Sequence, residues 1–273
     1  MKVNIKMFSS PGATVKTQPL LAALVSRFAS PLAGAALLAG MVPGVALAGE
    51  RTFAFSYGYS NVPKGGIEVE EYLTVHRFDA AHGDTADWEH QIELEYGISN
   101  RLEGGLYVVA GQAGAGPLAF EGYKARLKYA FGHEGVGPID AAAYVEYISD
   151  ATMTAHAVEA KAILGKDVGH LRSALNLEYK IELEDDEVVH EIEPTLGIGW
   201  SLAPACTVGA EAVAEVEFEG GEVVGPLMWA GPSVHLAGEG GRIWWTLAML
   251  LPLNEDSRAD HGVVGRSLIA LNL

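Results

Sequence analysis

Between His170 and Leu183 the chain alternates strictly. Leu171, Ser173, Leu175, Leu177, Tyr179, Ile181 and Leu183 form one set, and Arg172, Ala174, Asn176, Glu178, Lys180 and Glu182 form the other. A period of two is the repeat of a strand, whose successive side chains point to opposite faces. The segment therefore predicts a strand with one apolar and one charged face. The same pattern recurs in twelve segments, at about 67–78, 87–98, 102–112, 118–131, 139–149, 154–165, 170–183, 188–200, 206–218, 226–237, 242–253 and 262–273, separated by clusters of Gly, Pro, Asn and Asp. No stretch after residue 66 reads as a helix.

Segment length chooses between the architectures that alternate in this way. Strands of soluble sandwiches run nearer about 5–6 residues, whereas a tilted strand crossing a bilayer needs roughly 9–11. The chain is accordingly predicted to be all-β, a single closed antiparallel transmembrane β-barrel of about twelve strands, closure leaving no backbone group unpaired in lipid. The connections at 99–101, 165–169, 203–205 and 238–241 are tight, and those at 79–86, 184–187, 219–225 and 254–261 are more acidic or irregular. That is the asymmetry of short periplasmic turns and longer outer loops. With odd strands running outward, apolar-face aromatics should gather at two levels. Trp88, Tyr147, Tyr179 and Phe218 fall at the outer ends, and Tyr96, Tyr129, Phe131, Trp200 and Trp245 at the inner ends. These are the two interfacial girdles of a barrel in lipid.

Two details resist the scheme. Residues 51–60 (RTFAFSYGYS) also alternate, and could be a periplasmic peptide, a thirteenth strand or a strip tucked into the lumen. Glu71 falls on the apolar face of the first strand, which points to a bulge near Glu70 and Glu71.

Residues 1–48 carry no acid and four bases, Lys2, Lys6, Lys16 and Arg27, followed by an apolar run over 31–42 and Ala46-Leu47-Ala48. A basic region, a short apolar region and an Ala-x-Ala site predict a signal peptide cleaved after Ala48. The apolar run is well short of the ~20 residues of a spanning helix. The expected organisation is a signal peptide at 1–48, a periplasmic or lumen-facing segment at 49–66 and the barrel at 67–273. Without the leader, 14 bases face 35 acids, a formal −21 against −17 for the whole chain. So acidic a chain argues against nucleic-acid binding. The single cysteine, Cys206, excludes an internal disulfide or a thiolate-rich metal site.

On the inward faces, sixteen acids stand against eight bases. Lys124, Arg126 and Lys128 make a basic stripe on the fourth strand. Glu191, Glu193, Glu211, Glu215 and Glu217 make an acidic wall on the eighth and ninth, roughly across the lumen. Glu93, Glu146, Glu178 and Arg172 complete the expected pore lining. Small barrels are commonly filled by their own side chains, so a charge-paired plug competes with a narrow pore selecting by charge.

Other constellations carry little. Ser233 and His235 share a strand face, but neighbours two apart lie roughly 6.5–7 Å from each other, too far for nucleophile activation. The acidic loop groups around Asp79, His82, Asp84, Asp87 and His90, and around Glu184, Asp185, Asp186, Glu187 and His190, match no metal-loop spacing. They read as solvated loops among lipopolysaccharide and bridging divalent ions. No phosphate loop, dinucleotide fingerprint or catalytic motif appears.

The amphipathic strands, the girdles and stretches such as 88–97 (WEHQIELEYG) and 231–235 (GPSVH) resemble Gram-negative outer-membrane barrels of the porin-like, transporter-like kind. The resemblance covers about residues 51–273. Such barrels commonly end in an aromatic residue read by the barrel-assembly machinery, whereas this chain ends in Leu273. It implies an exported outer-membrane protein whose partners are outer-membrane lipids, lipopolysaccharide, that machinery and small solutes or ions, with no cofactor and no enzymatic activity. The function expected is a narrow, cation-leaning channel or passive transporter. The alternatives are a structural or interaction barrel with a plugged lumen, and an outer-membrane hydrolase.

Overall fold

The computed structural model describes residues 50–77, 86–132, 134–184, 187–219 and 222–273; the predicted leader lies outside them. Twelve strands follow in chain order: β1 (Ile67–Arg77), β2 (Ala86–Gly97), β3 (Leu102–Gln112), β4 (Ala119–Phe131), β5 (Asp140–Asp150), β6 (His156–Gly165), β7 (Leu171–Glu184), β8 (Glu187–Ala203), β9 (Cys206–Glu219), β10 (Glu222–Ala237), β11 (Ile243–Pro252) and β12 (Val263–Asn272). Each pairs antiparallel with its chain neighbour, and β1 pairs with β12, so the sheet is a closed barrel. Closure matters because an unpaired sheet edge has no partner in hydrocarbon.

The two faces separate as the alternation predicts. Leu175 and Leu177 are exposed outward, while Asn176 and Glu178 between and beside them are buried in the interior. Ile92, Leu106, Leu127 and Ile198 continue the outward apolar belt. Trp88, Tyr147 and Tyr179 are exposed at the outer level, and Tyr96, Tyr129, Phe131 and Trp200 at the inner one. Phe218 and Trp245 are half-buried, Trp245 donating its Nε1–H to Ser267 Oγ at 2.8 Å.

Three expectations change. There is no bulge in β1: Glu70 pairs with Glu93, Glu71 with Ile92 and Tyr72 with Gln91 in unbroken register. Glu71 therefore points outward, where it meets His90 Nδ1 at 3.6 Å. β7 runs to Glu184 and β8 begins at Glu187, while β9 runs to Glu219 and β10 begins at Glu222. These two hairpins thus carry strand pairing into stretches expected to be loop. Finally, the loop between β11 and β12 contains a six-residue helix, α1 (Glu255–Asp260). Asn254 caps it by accepting from Ser257 N, with Glu255 and Asp256 in its first turn and Arg258 in its last, charges placed to suit the helix dipole.

Residues 51–60 are neither a thirteenth strand nor a periplasmic peptide. They belong to an irregular strap, residues 50–66, that lies inside the barrel.

Candidate functional site: the barrel lumen

The strap winds once around the inner wall and is held at each step by a polar side chain of a different strand. Thr246 of β11 donates to Arg51 O at 2.6 Å, and Arg51 Nη1 donates to Tyr72 Oη of β1 at 2.6 Å. The Glu211 carboxylate on β9 accepts three consecutive backbone N–H groups, from Ala54 (2.8 Å), Phe55 (2.7 Å) and Ser56 (3.0 Å). Asn176 on β7 accepts from Tyr57 N at 2.6 Å and donates to Tyr57 O at 3.0 Å. Lys128 on β4 donates to Ser60 O at 2.8 Å, and Glu103 on β3 accepts from Val62 N at 2.7 Å. A segment without sheet partners has backbone donors to satisfy, and the inward polar side chains satisfy them.

Apolar contacts complete the fit. Tyr59 packs with Ala142, Tyr144 and Ile163. Phe55 lies against a cluster of Val213, Trp229, Leu250 and Val264. A third cluster joins Tyr72, Tyr107, Ala237, Trp244, Leu268 and Ala270. The inward face of β10–β12 is thus largely apolar, unlike the charged inward face of β2–β9.

The charges form a ribbon between adjacent strands. Arg126 on β4 reaches Glu93 (2.6 Å), Glu103 (2.6 Å) and Glu95, and Lys128 reaches Glu103 at 3.0 Å. Lys124 lies 3.7 Å from Glu146. Lys161 sits between Glu159 (3.0 Å) and Glu178 (2.9 Å), and Lys180 between Glu182 (3.0 Å) and Glu191 (2.7 Å). The stripe on β4 and the bases on β6 and β7 thus pair with acids on the same or nearby strands rather than across the lumen. The cross-strand register puts acids within reach of each base, and a buried charge left unpaired is far costlier than a paired one.

Above the strap a cavity of about 670 Å³ remains at the outer end, with Phe55 and Tyr57 among its lining residues. Eleven acids and four bases line it. Of the residues expected to line a pore, Lys124, Glu146, Glu178, Glu191, Glu193, Glu215 and Glu217 lie here. The others are elsewhere. Glu93, Arg126 and Lys128 lie in the ionic network described above, and Glu211 lies against the strap. Arg172 pairs with Asp167 and bonds Ser201 Oγ at 3.0 Å.

Sequence reading missed how the strap is seated, with Arg51 and Phe53 of the strap meeting Tyr72 and Gly197 of the wall and Asn176 holding Tyr57. A signal was present. In β11, apolar residues fill both faces (IWWTLAMLLP), so its inward face required an apolar partner from elsewhere in the chain.

Ser233 and His235 do not form a nucleophile pair. His235 Nδ1 bonds Thr246 Oγ1 at 2.8 Å, and its Nε2 lies 3.7 Å from Glu50. Among the described residues, two carboxylate groups could hold a cation: Glu68, Glu70 and Glu95 in the interior, and Glu191, Glu215 and Glu217 beside the cavity. Asp79, His82, Asp84, Asp185 and Asp186 of the acidic loops lie outside the described residues.

Residues 45–152 match a family of unknown function, DUF6662. No curated protein matches the chain. Among solved structures, the COG4313 outer membrane channel from Pseudomonas putida F1 is 10% identical, with a TM-score of 0.57 over 79% of this chain and 98% of that one. The KdgM porin in complex with disordered oligogalacturonate is 10% identical over 76% of this chain and 99% of its own, with a TM-score of 0.49. The NanC porin is 8% identical over 76% and 98%, with a TM-score of 0.48. The first likeness is one of fold, a closed antiparallel β-barrel.

Proposed function

We propose that the protein is an outer-membrane channel or passive transporter for small solutes, with an acidic outer vestibule that favours cations and the strap as its constriction. The observation that carries this reading is the vestibule itself, about 670 Å³ lined by eleven acids and four bases. Walls of one predominant sign raise the local concentration of counter-ions and repel co-ions. The fold shared with the Pseudomonas putida channel supports the same reading. The solutes admitted are small, because the strap and the buried network around Arg126 lie in the lumen beneath the vestibule. Outer-membrane lipids, lipopolysaccharide and the assembly machinery are the partners that such a barrel requires.

The test is single-channel recording in a planar bilayer under a salt gradient. Discrete conductance steps with a reversal potential displaced towards the cation equilibrium value are expected. A second reading, a structural barrel with a permanently plugged lumen, is favoured by the three N–H groups that Glu211 holds, and it predicts no steps at all. The hydrolase reading has no support in the placement of His235, which turns to Thr246 and Glu50.

A further inference from the structure

The inward faces of β1 and β2 place four carboxylates side by side, because the register pairs Glu68 with Glu95 and Glu70 with Glu93. Glu103 lies beside them through Arg126. Three bases answer these five acids: Arg126 reaches Glu93, Glu95 and Glu103, Lys128 reaches Glu103, and Arg51 lies 3.8 Å from Glu70. Five acids against three bases leave two negative charges, the complement of one divalent ion.

Glu68 and Glu70 are both 0% exposed. Among the described residues Oε1 of each has no hydrogen-bond partner, a costly state for a buried carboxylate oxygen. Glu68 makes no ion pair among the described residues; its Oε2 accepts from Trp244 Nε1 at 3.0 Å. One oxygen from each of Glu68, Glu70 and Glu95 lies within 4.8 Å of the other two. Two oxygens bound to one Ca²⁺ at about 2.3–2.6 Å are separated by no more than about 5 Å.

We propose that Glu68, Glu70 and Glu95 form a buried binding site for one hard divalent cation, Ca²⁺ or Mg²⁺, in the wall of the barrel beside the strap. Carboxylate oxygens alone make up the donor set, which suits these ions and not the softer metals that select imidazole or thiolate. The site is separate from the vestibule and does not depend on the barrel conducting.

Trp244 makes the site observable. Tb³⁺ takes the same oxygen ligands as Ca²⁺, and an indole hydrogen-bonded to a ligating carboxylate can sensitise its emission. The mature chain, folded in detergent with Tb³⁺, should show tryptophan-excited Tb³⁺ luminescence that Ca²⁺ competes away. Protein folded with Ca²⁺ and then desalted should retain about one metal per chain by elemental analysis. Glu68→Gln, which keeps the shape of the side chain, should weaken binding at least about tenfold by removing one ligand charge. Trp244→Phe should abolish the luminescence and keep the metal. Glu215→Gln with Glu217→Gln should change neither. Folded protein that retains no metal and gives no luminescence would overturn the proposal, since the two excess charges would then be neutralised by protons. A signal lost in the Glu215/Glu217 variant but kept in Glu68→Gln would overturn it equally, by moving the site to the vestibule. If Glu68→Gln fails to fold, Glu95→Gln serves the same comparison.

Discussion

Phe53 occupies the space that a side chain at position 197 would need: a Cβ built on Gly197 falls 2.5 Å from the Phe53 ring. The wall of β8 is therefore shaped for the strap. Gly197→Val should push the ring out of its seat and destabilise the folded barrel by about 1–3 kcal/mol, the usual range for overpacking. The same substitution in a chain lacking residues 50–62 should cost far less. Unfolding midpoints from heat-modifiable migration on gels measure both. An equal loss in the two backgrounds would mean that Phe53 is not what Gly197 accommodates.

Glu71 lies at mid-height on the lipid face. It pairs with Ile92, halfway between Trp88 at the outer girdle and Tyr96 at the inner one, and 53% of its side chain is exposed. A carboxylate at this depth is unfavourable even with His90 beside it. Glu71→Leu should stabilise the barrel by about 1–2 kcal/mol, given that lipid-facing Lys or Arg costs about 2–4 at the midplane and acids somewhat less. Denaturant titration of the refolded barrel in lipid vesicles would measure the change.

Arginine scanning of β7 checks the register. Leu177 faces lipid, so Leu177→Arg should cost about 2–4 kcal/mol. Sequence alone makes Arg at the neighbouring inward position, Glu178, look far milder. The structure reverses that, because Glu178 is 7% exposed and lies 2.9 Å from Lys161. Removing one member of a buried pair costs about 3–5 kcal/mol, and Glu178→Arg also adds a like charge. Both Arg variants should lower the unfolding free energy, and Glu178→Gln should cost less than Glu178→Arg, because it adds no like charge and leaves Lys161 its pair with Glu159.

Selectivity follows from the vestibule. Replacing Glu191, Glu215 and Glu217 by glutamine should shift the reversal potential towards anions, and Lys124→Gln should shift it towards cations. Both shifts should shrink in molar salt, where the Debye length falls to about 3 Å. Arg126→Gln should act differently, lowering stability more than it changes selectivity, because Arg126 is already surrounded by Glu93, Glu95 and Glu103.

What could be read in the sequence, and what could not, divides along a physical line. Strand positions and facing are local: Leu175 and Leu177 against Asn176 and Glu178 follow from a period of two, and each of the twelve expected segments is a strand, two hairpins being longer than the alternation indicates. Girdle residues such as Trp88 and Tyr96 were legible because depth follows from strand direction. The location of residues 51–60 was not, because strap and wall meet over long range, with Ala54 and Glu211 separated by 157 residues. The partners of Arg126 depend on the register of β2, β3 and β4, which alternation alone leaves undetermined. The outward position of Glu71 follows from the alternation, whereas a bulge does not, because a half-exposed carboxylate on the lipid face is compatible with unbroken register.

The strap is the element on which channel and plug readings differ most, so its removal tests the account most directly. Purified barrel with residues 50–62 deleted should be compared with the intact mature chain in planar bilayers. A channel whose constriction is the strap should show small cation-preferring steps when intact and several-fold larger steps after the deletion. A folded, heat-modifiable barrel that gives no conductance steps in either form would contradict the account and leave a structural barrel.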